Sequence, residues 1–110
     1  MSTSKEYLNY VLDLLSELDE ITYRAMMGEY IIYYRGRIAG GIYDNRLLIK
    51  PVETAKRLMP KASFEIPYKG AKEMILIEEE NKTVLRELFE AIYEELPVPK
   101  PRKKKTNSEQ

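Results

Sequence analysis

The chain has 110 residues, which suffices for one domain with a packed core but not for two. It contains neither cysteine nor histidine, so disulfides, thiolate metal sites, cysteine nucleophiles and Ser/His/Asp triads are excluded. Its 18 basic and 18 acidic residues balance, but five basic residues fall within residues 100–110, so the remaining body is mildly acidic and a poor partner for phosphate backbones.

The first predicted element is an amphipathic helix over residues 3–18. Its apolar residues recur at intervals of three and four and form one stripe: Leu8, Val11, Leu12, Leu15 and Leu18. Thr3 and Glu6 have the spacing of a capping box, in which each side chain satisfies a free N–H of the first turn. We therefore expect Thr3 to cap this helix.

The N-terminal residues lack the apolar stretch of a secretory signal, and no apolar run approaches the ~20 residues that a membrane span needs. We therefore expect a cytoplasmic protein that does not interact with membranes.

Residues 21–50 predict a meander of antiparallel strands, because short turns separate segments rich in β-branched and aromatic residues. The predicted strands are 21–27, 30–34, 37–43 and 46–50. Gly28 interrupts the first pair, and turns are expected at Arg35-Gly36 and Asp44-Asn45, because Gly, Asp and Asn tolerate positive φ.

Side-chain alternation assigns faces within this meander. Tyr30 and Tyr34 share one face and Tyr33 lies on the other, while Ile38 and Ile42 are expected to lie together. Five of the nine tyrosines fall in this segment. They either cover the sheet with their rings or form an exposed aromatic platform for a partner.

Two features of the meander have a structural and a functional interpretation. Gly40-Gly41 stands inside a strand and indicates either a β-bulge or a point where a ligand approaches the backbone. Arg24, Glu29 and Lys50 lie in or beside strands, where they form either ordinary surface ion pairs or a polar cluster near Gly28 at one sheet edge.

The C-terminal half predicts a short helix, two short strands and a long helix. These segments are 52–58, 64–66, 74–77 and a helix that follows the N-cap Asn81. The long helix has an apolar stripe: Val84, Leu85, Leu88, Phe89, Ile92, Tyr93 and Leu96.

Together these elements predict an α+β domain of two layers. A curved antiparallel sheet, formed by the meander plus one further strand, is combined with two long helices and one short helix, and the long helices cover one face. The domain is expected to span residues 1–97, and residues 98–110 are expected to form a flexible Pro/Lys-rich tail.

The sequence contains no recognisable catalytic or metal-binding pattern. Gly36 and Gly40-Gly41 lack the lysine and the helix of a phosphate-binding loop. The carboxylate runs Glu78–Glu80 and Glu94-Glu95 stand at element ends, where charged runs are usually solvated. We therefore predict no catalytic residue, no metal, no cofactor and no enzymatic activity.

The tail carries a run of basic residues: Lys100, Arg102, Lys103, Lys104 and Lys105. Such a run either binds nucleic acid weakly through counterion release or only keeps the chain soluble.

Several stretches resemble the TfoX N-terminal domain family. The first reads Arg-Ala-Met-Met-Gly-Glu-Tyr from Arg24 to Tyr30 and continues through Tyr33, Arg35-Gly36, Asp44, Leu47 and Lys50-Pro51. The second is Pro67-Tyr68-x-Gly70-Ala71-Lys72. The resemblance covers about residues 5–97, with the difference that many family members have Phe where Met27 stands.

The resemblance implies an α+β domain with a curved antiparallel sheet and flanking helices. The family is named for a bacterial regulator of competence for DNA uptake, in which a second domain follows. It implies no catalytic residues, and the positions that match its motifs are the candidate interaction residues: Arg24, Gly28, Glu29, Tyr33, Lys50, Tyr68 and Lys72.

Three functions are compatible with these observations. The first is a small interaction module, a regulator of competence or transcription, that binds a protein partner. The second is a nucleic-acid-associated protein that uses only its basic tail. The third is a protein that binds small anions through Arg24 and Lys50. The chain is expected to be a monomer or a homodimer, because an exposed strand edge could pair two copies.

Overall fold

The structure, a computed structural model, describes residues 3–99 of the chain. Its helices are α1 (Lys5–Leu14), α2 (Glu53–Leu58) and α3 (Lys82–Ile92). Its strands are β1 (Ile21–Met26), β2 (Glu29–Tyr34), β3 (Arg37–Ile42), β4 (Leu47–Ile49), β5 (Phe64–Glu65) and β6 (Met74–Ile77). A short 3-10 helix, Tyr93–Glu95, continues α3. The basic residues predicted to contact nucleic acid lie outside the described residues: Lys100, Arg102, Lys103, Lys104 and Lys105.

The strands form one open antiparallel sheet in the order β1-β2-β3-β4-β6-β5. Strands β1 to β4 make the predicted meander, and β6 inserts between β4 and the short edge strand β5. The two central residues of each meander turn have positive φ: Met27-Gly28, Arg35-Gly36 and Asp44-Asn45. Such turns match the right-handed twist of paired strands, so the predicted turn positions are confirmed.

The long helices cover one face of the sheet, as predicted, and enclose the main core. The helices contribute Leu8, Val11, Leu85, Phe89 and Ile92, and the sheet contributes Ile32, Ile42, Leu47, Ile49 and Ile75. Tyr34 packs edge-on against Phe89 and Tyr93, with ring centroids 6.2 and 5.5 Å apart. Tyr30 also packs against this core, which confirms the face predicted for the two tyrosines. The structure is therefore a two-layer α+β fold.

The two ends of α1 differ from the prediction. Ser4, not Thr3, is the N-cap, and its hydroxyl accepts a hydrogen bond from the N–H three residues later. The predicted capping box is therefore wrong. The helix ends at Leu14, well before the predicted end, yet Leu15 and Leu18 are still buried in the core. The apolar spacing overestimated the helix because the turn that follows buries the same side of the chain.

Ile38 and Ile42 were predicted to lie on the same face of the sheet, but a β-bulge in β3 places them on opposite faces. Gly40 and Ile38 pair with consecutive residues of β2, which leaves Ala39 as the extra residue. Ile42 therefore lies in the helix-covered core, whereas Ile38 lies on the opposite face. A β-carbon at Gly40 would lie 2.1 Å from the carbonyl oxygen of Leu48, so the neighbouring strand approaches the backbone here. Of the two interpretations of the glycine pair, the bulge is confirmed.

The C-terminal helix begins at its predicted position, but one residue of its predicted apolar stripe is exposed. Asn81 caps α3 by accepting a hydrogen bond from the N–H of Val84. Val84 itself is 42% exposed, so the buried stripe begins at Leu85. Glu95 is exposed, as predicted, and also accepts hydrogen bonds from the N–H of Thr54, at 2.9 Å, and from its hydroxyl. It thereby satisfies free donors in the first turn of α2.

Candidate functional site

The sheet face that the helices leave uncovered carries a second, smaller apolar cluster. Tyr43, Leu48 and Met74 are buried in it. The 66–73 loop, which joins β5 to β6, places the ring of Tyr68 against that of Tyr43, with centroids 6.0 Å apart. This loop therefore covers part of a face that is otherwise open.

Arg46 fastens the start of this loop. Its Nη1 atom lies 2.5 Å from Oε1 of Glu65, and its Nη2 atom donates to the carbonyl oxygens of Ile66 and Pro67 at 3.4 and 3.5 Å. Its Nε atom donates to the carbonyl oxygen of Tyr43 at 3.1 Å. One planar guanidinium with several fixed donors thus ties the loop to the turn before β4.

Between the loop and the sheet lies a cavity of about 430 Å³. Its lining residues are Tyr43, Lys50, Pro51, Pro67, Tyr68, Gly70, Ala71, Lys72, Glu73 and Met74. We call it the Lys50–Lys72 cavity, because one lysine directly follows β4 and the other lies in the loop. Apolar walls with a few polar groups are typical of ligand pockets.

The polar groups of the cavity differ in burial and pairing. Lys50 is half-buried and Lys72 is exposed, and neither takes part in the ion pairs found among residues 3–99. The side chain of Tyr43 is only 8% exposed. Burial raises the pKa of its hydroxyl, and the nearby Tyr68 and Glu29 raise it further. The hydroxyl of Tyr43 therefore stays protonated at neutral pH and can donate a hydrogen bond.

The structure brings three of the seven predicted site residues together, because Lys50, Tyr68 and Lys72 all line the cavity. Arg24 and Tyr33 lie on β1 and β2, and no part of β1 reaches the cavity. Three strand spacings, roughly 14 Å, separate β1 from β4. The two basic residues predicted as joint anion anchors, Arg24 and Lys50, thus lie apart, and Lys50 shares the cavity lining with Lys72.

Glu29 and Gly28 take part in contacts that hold the fold. Oε1 of Glu29 accepts a hydrogen bond from the hydroxyl of Thr3 at 2.7 Å and another from the N–H of Asp44 at 3.1 Å. The N–H of Thr3 donates to the carbonyl oxygen of Gly28 at 2.9 Å. The polar contacts near Gly28 thus involve Glu29 but not Arg24 or Lys50, and they join the segment before α1 to two turns of the meander.

Three cavity residues are not motif positions of the family resemblance and were not predicted: Tyr43, Glu73 and Met74. Tyr43 is one of five tyrosines in the meander, and Met74 begins an apolar run. One signal is visible in retrospect, because Tyr43 follows Gly41 by two residues and shares its face. A residue without a side chain leaves room there for a large ring.

Two other concave surfaces of the described residues contain none of the predicted site residues. An apolar groove of about 350 Å³ lies between α2 and α3, and a pocket of about 440 Å³ lies between α1 and Glu78–Glu80. Within residues 3–99, no three acidic side chains are grouped closely enough to hold a metal ion. The helices described for this chain are all too short or too polar to span a membrane.

Comparisons with known proteins identify relatives of the chain. The family model described as TfoX N-terminal domain matches residues 13–93, a range that contains the whole lining of the cavity. A protein of Spirochaeta aurantia, described as an uncharacterized 12.7 kDa protein in the trpE 5' region, is 30% identical over 110 residues. The aligned region covers 98% of this chain and 96% of that protein. No solved structure matches the chain.

Proposed function

The chain belongs to the TfoX N-terminal domain family, and on that premise we propose that it is a non-enzymatic module that binds a protein partner. The binding surface is the 66–73 loop together with the mouth of the Lys50–Lys72 cavity. Because the family takes its name from a competence regulator, the proposed context is the control of competence or transcription in the cytoplasm of a bacterium.

The origin of the cavity lining is the observation that carries this proposal. Lys50-Pro51 ends the first stretch that resembles the family, and residues 67–72 form the second stretch. Residues 52–66 separate them in sequence, yet together they supply seven of the ten lining residues. Motif residues that lie outside the core and converge on one cavity support a shared binding surface.

The exposed side of the loop has the composition of a protein interface. Tyr68 is 58% exposed and Ile66 is 50% exposed, and both lie in the loop that covers the cavity. Lys69 and Lys72 lie in the same loop. Protein interfaces commonly combine a central aromatic or apolar contact with a charged rim. A partner would therefore cover Tyr68 and Ile66 and meet the lysines at the edge.

The chemistry of the cavity favours binding over catalysis. General acid or base catalysis near pH 7 needs a group that exchanges its proton in that range. The chain has no histidine or cysteine to supply one, and burial moves the pKa of Tyr43 away from neutrality. The remaining polar groups are two ammonium groups and the exposed carboxylate of Glu73.

Affinity capture with the full-length chain tests the proposal. Wild type, Tyr68→Ala and Tyr10→Ala are compared as baits, with the captured proteins quantified by mass spectrometry. Tyr10 is the matched control, because it is 41% exposed but lies on α1, away from the loop. We expect a partner at near-stoichiometric yield with wild type and Tyr10→Ala, and its loss with Tyr68→Ala.

Two results would contradict this function. One is that wild type captures no protein at near-stoichiometric yield. The other is that all three baits retain the same protein equally, which would place the interface elsewhere.

A further inference from the structure

We propose that the Lys50–Lys72 cavity is a binding pocket for a small organic anion, a molecule that carries a carboxylate or phosphate group on a compact apolar body. The inference goes beyond the partner-binding function, because it concerns the interior of the cavity and a small molecule. Binding of this kind needs no protein partner and is measured without one.

The charge of the cavity is the first argument. Two ammonium groups and one carboxylate line it, so its net charge is positive although residues 1–99 contain more acidic than basic residues. Within the described residues, Lys50 and Lys72 have no carboxylate at ion-pair distance. Lys50 is also half-buried, which weakens its solvation, and an anion beside it would compensate for the lost water.

The hydroxyl of Tyr43 is the second argument. Its side chain is 8% exposed and lines the cavity, and no hydrogen bond to it is found among residues 3–99. Buried polar groups are nearly always hydrogen-bonded, to protein, water or ligand. The phenol, which lines the same cavity as the two lysines, therefore offers a further donor to an oxyanion bound there.

The size and the walls of the cavity define the rest of the ligand. A volume of about 430 Å³ is typical of pockets for small molecules. The side chains of Pro51, Pro67 and Met74 and the ring of Tyr68 form apolar walls. A bare inorganic ion would leave these walls in contact with water, whereas an anion with an apolar body would contact both kinds of surface.

Binding of such an anion would restrict the motion of the loop that is proposed to bind the protein partner. Lys50 directly follows β4, and Lys72 belongs to the 66–73 loop. An anion that contacts both ammonium groups would tie the loop to the sheet and limit its motion. Anion binding and partner binding would then be coupled, each raising or lowering the affinity of the other by the same factor.

Isothermal titration calorimetry on the full-length chain, at constant ionic strength, tests the proposal. The probes are phenyl phosphate, benzoate and inorganic phosphate. We expect saturable binding of at least one organic probe with a millimolar or lower Kd, and weaker binding of inorganic phosphate. The two organic probes distinguish phosphate from carboxylate recognition, and constant ionic strength removes general screening effects.

Variants locate the site. We expect Lys50→Gln and Lys72→Gln each to weaken binding about tenfold, because each removes one charge-assisted contact, and Tyr43→Phe to weaken it less. Lys69→Gln is the control, since it removes the same charge from the same loop outside the cavity lining. Lys72 is exposed, so its variant should keep the fold, which circular dichroism verifies.

The proposal is overturned if wild type binds neither organic probe at concentrations on the order of 10 mM. It is also overturned if Lys69→Gln weakens binding as much as Lys72→Gln, because the effect would then be one of general charge. Either outcome leaves the partner test with Tyr68→Ala unaffected, so the two proposals fail independently.

Discussion

The ring of Tyr43 lies over Gly41 and fills the space that a side chain at residue 41 would need. A β-carbon there would lie 2.6 Å from Cε2 of the ring and 2.7 Å from the carbonyl oxygen of Tyr30. Both distances are far below van der Waals contact. Since Tyr43 lines the Lys50–Lys72 cavity, Gly41 supports one wall of the candidate site from beneath.

Gly41→Ala should therefore destabilise the protein by about 1–3 kcal/mol, the usual cost of overpacking a tight interior. Urea unfolding followed by circular dichroism measures the change. In a Tyr43→Ala background the same substitution should cost less, because the ring no longer competes for the space. If Gly41→Ala costs the same free energy of unfolding in both backgrounds, the ring of Tyr43 does not compete with a side chain at residue 41.

Arg46→Gln should release the 66–73 loop without unfolding the domain. The substitution removes the contact with Glu65 and the donors to two loop carbonyls. Amide hydrogens of the loop should exchange about tenfold faster, as expected for the loss of one or two hydrogen bonds. Hydrogen exchange with mass spectrometry measures this effect.

Arg86→Gln is the control for the loop experiment. Arg86 pairs with Glu17 and Glu90 on the helical side of the molecule, away from the loop. Its variant should leave exchange in the loop unchanged. Unaltered exchange in Arg46→Gln would mean that other contacts hold the loop in place.

Glu29→Ala should lower the free energy of unfolding by about 1–2 kcal/mol. The change removes the acceptor of hydrogen bonds from the hydroxyl of Thr3 and the N–H of Asp44. Glu20→Ala is the control, because the ion pair of Glu20 with Arg35 is long, at 3.8 Å, and exposed. Such pairs contribute little to stability. Equal effects of the two variants in urea unfolding would argue against the structural role of Glu29.

The contact between Glu95 and Thr54 should make stability depend on pH. Hydrogen bonds from the hydroxyl and N–H of Thr54 lower the pKa of Glu95 below its ordinary value near 4.5. A carboxyl group whose pKa is lower in the folded state contributes stability above its unfolded pKa and loses it as the pH falls through its folded pKa. Wild type should thus lose stability in acid partly through this group.

Comparison with Glu95→Gln isolates that contribution. At neutral pH wild type should be the more stable protein, and the difference should shrink as the pH falls below about 4.5. Urea unfolding of both proteins at a series of pH values measures it. A difference that stays constant across the series would mean that the ionised carboxylate of Glu95 does not contribute.

Local chemistry explains which features of the fold could be predicted from the sequence. Positive φ is accessible mainly to Gly, Asn and Asp, so the turns at Asp44-Asn45 and at the glycines can be predicted from the sequence. The buried stripes of α1 and α3 follow from a period near 3.6 residues. The two-layer arrangement follows because amphipathic helices must cover the apolar face of a sheet.

Some local predictions were wrong because a single residue altered the strand pairing or the helix cap. The bulge at Ala39 adds a single residue to β3 and moves Ile38 to the opposite face from Ile42. Two adjacent glycines indicated an irregularity, but alternation cannot show where the extra residue sits. Ser4 replaced Thr3 as the cap of α1 because Thr3 contacts Glu29, a partner distant in sequence.

The sequence by itself determined the family, the order of the elements and the two stretches that carry the motif residues. Only the tertiary structure decided that Lys50 and Lys72 line one cavity while Arg24 lies on the far edge of the sheet. The physical reason is that strand order and the path of the 66–73 loop depend on contacts between residues far apart in the chain. Periodicity and turn chemistry carry no information about such contacts.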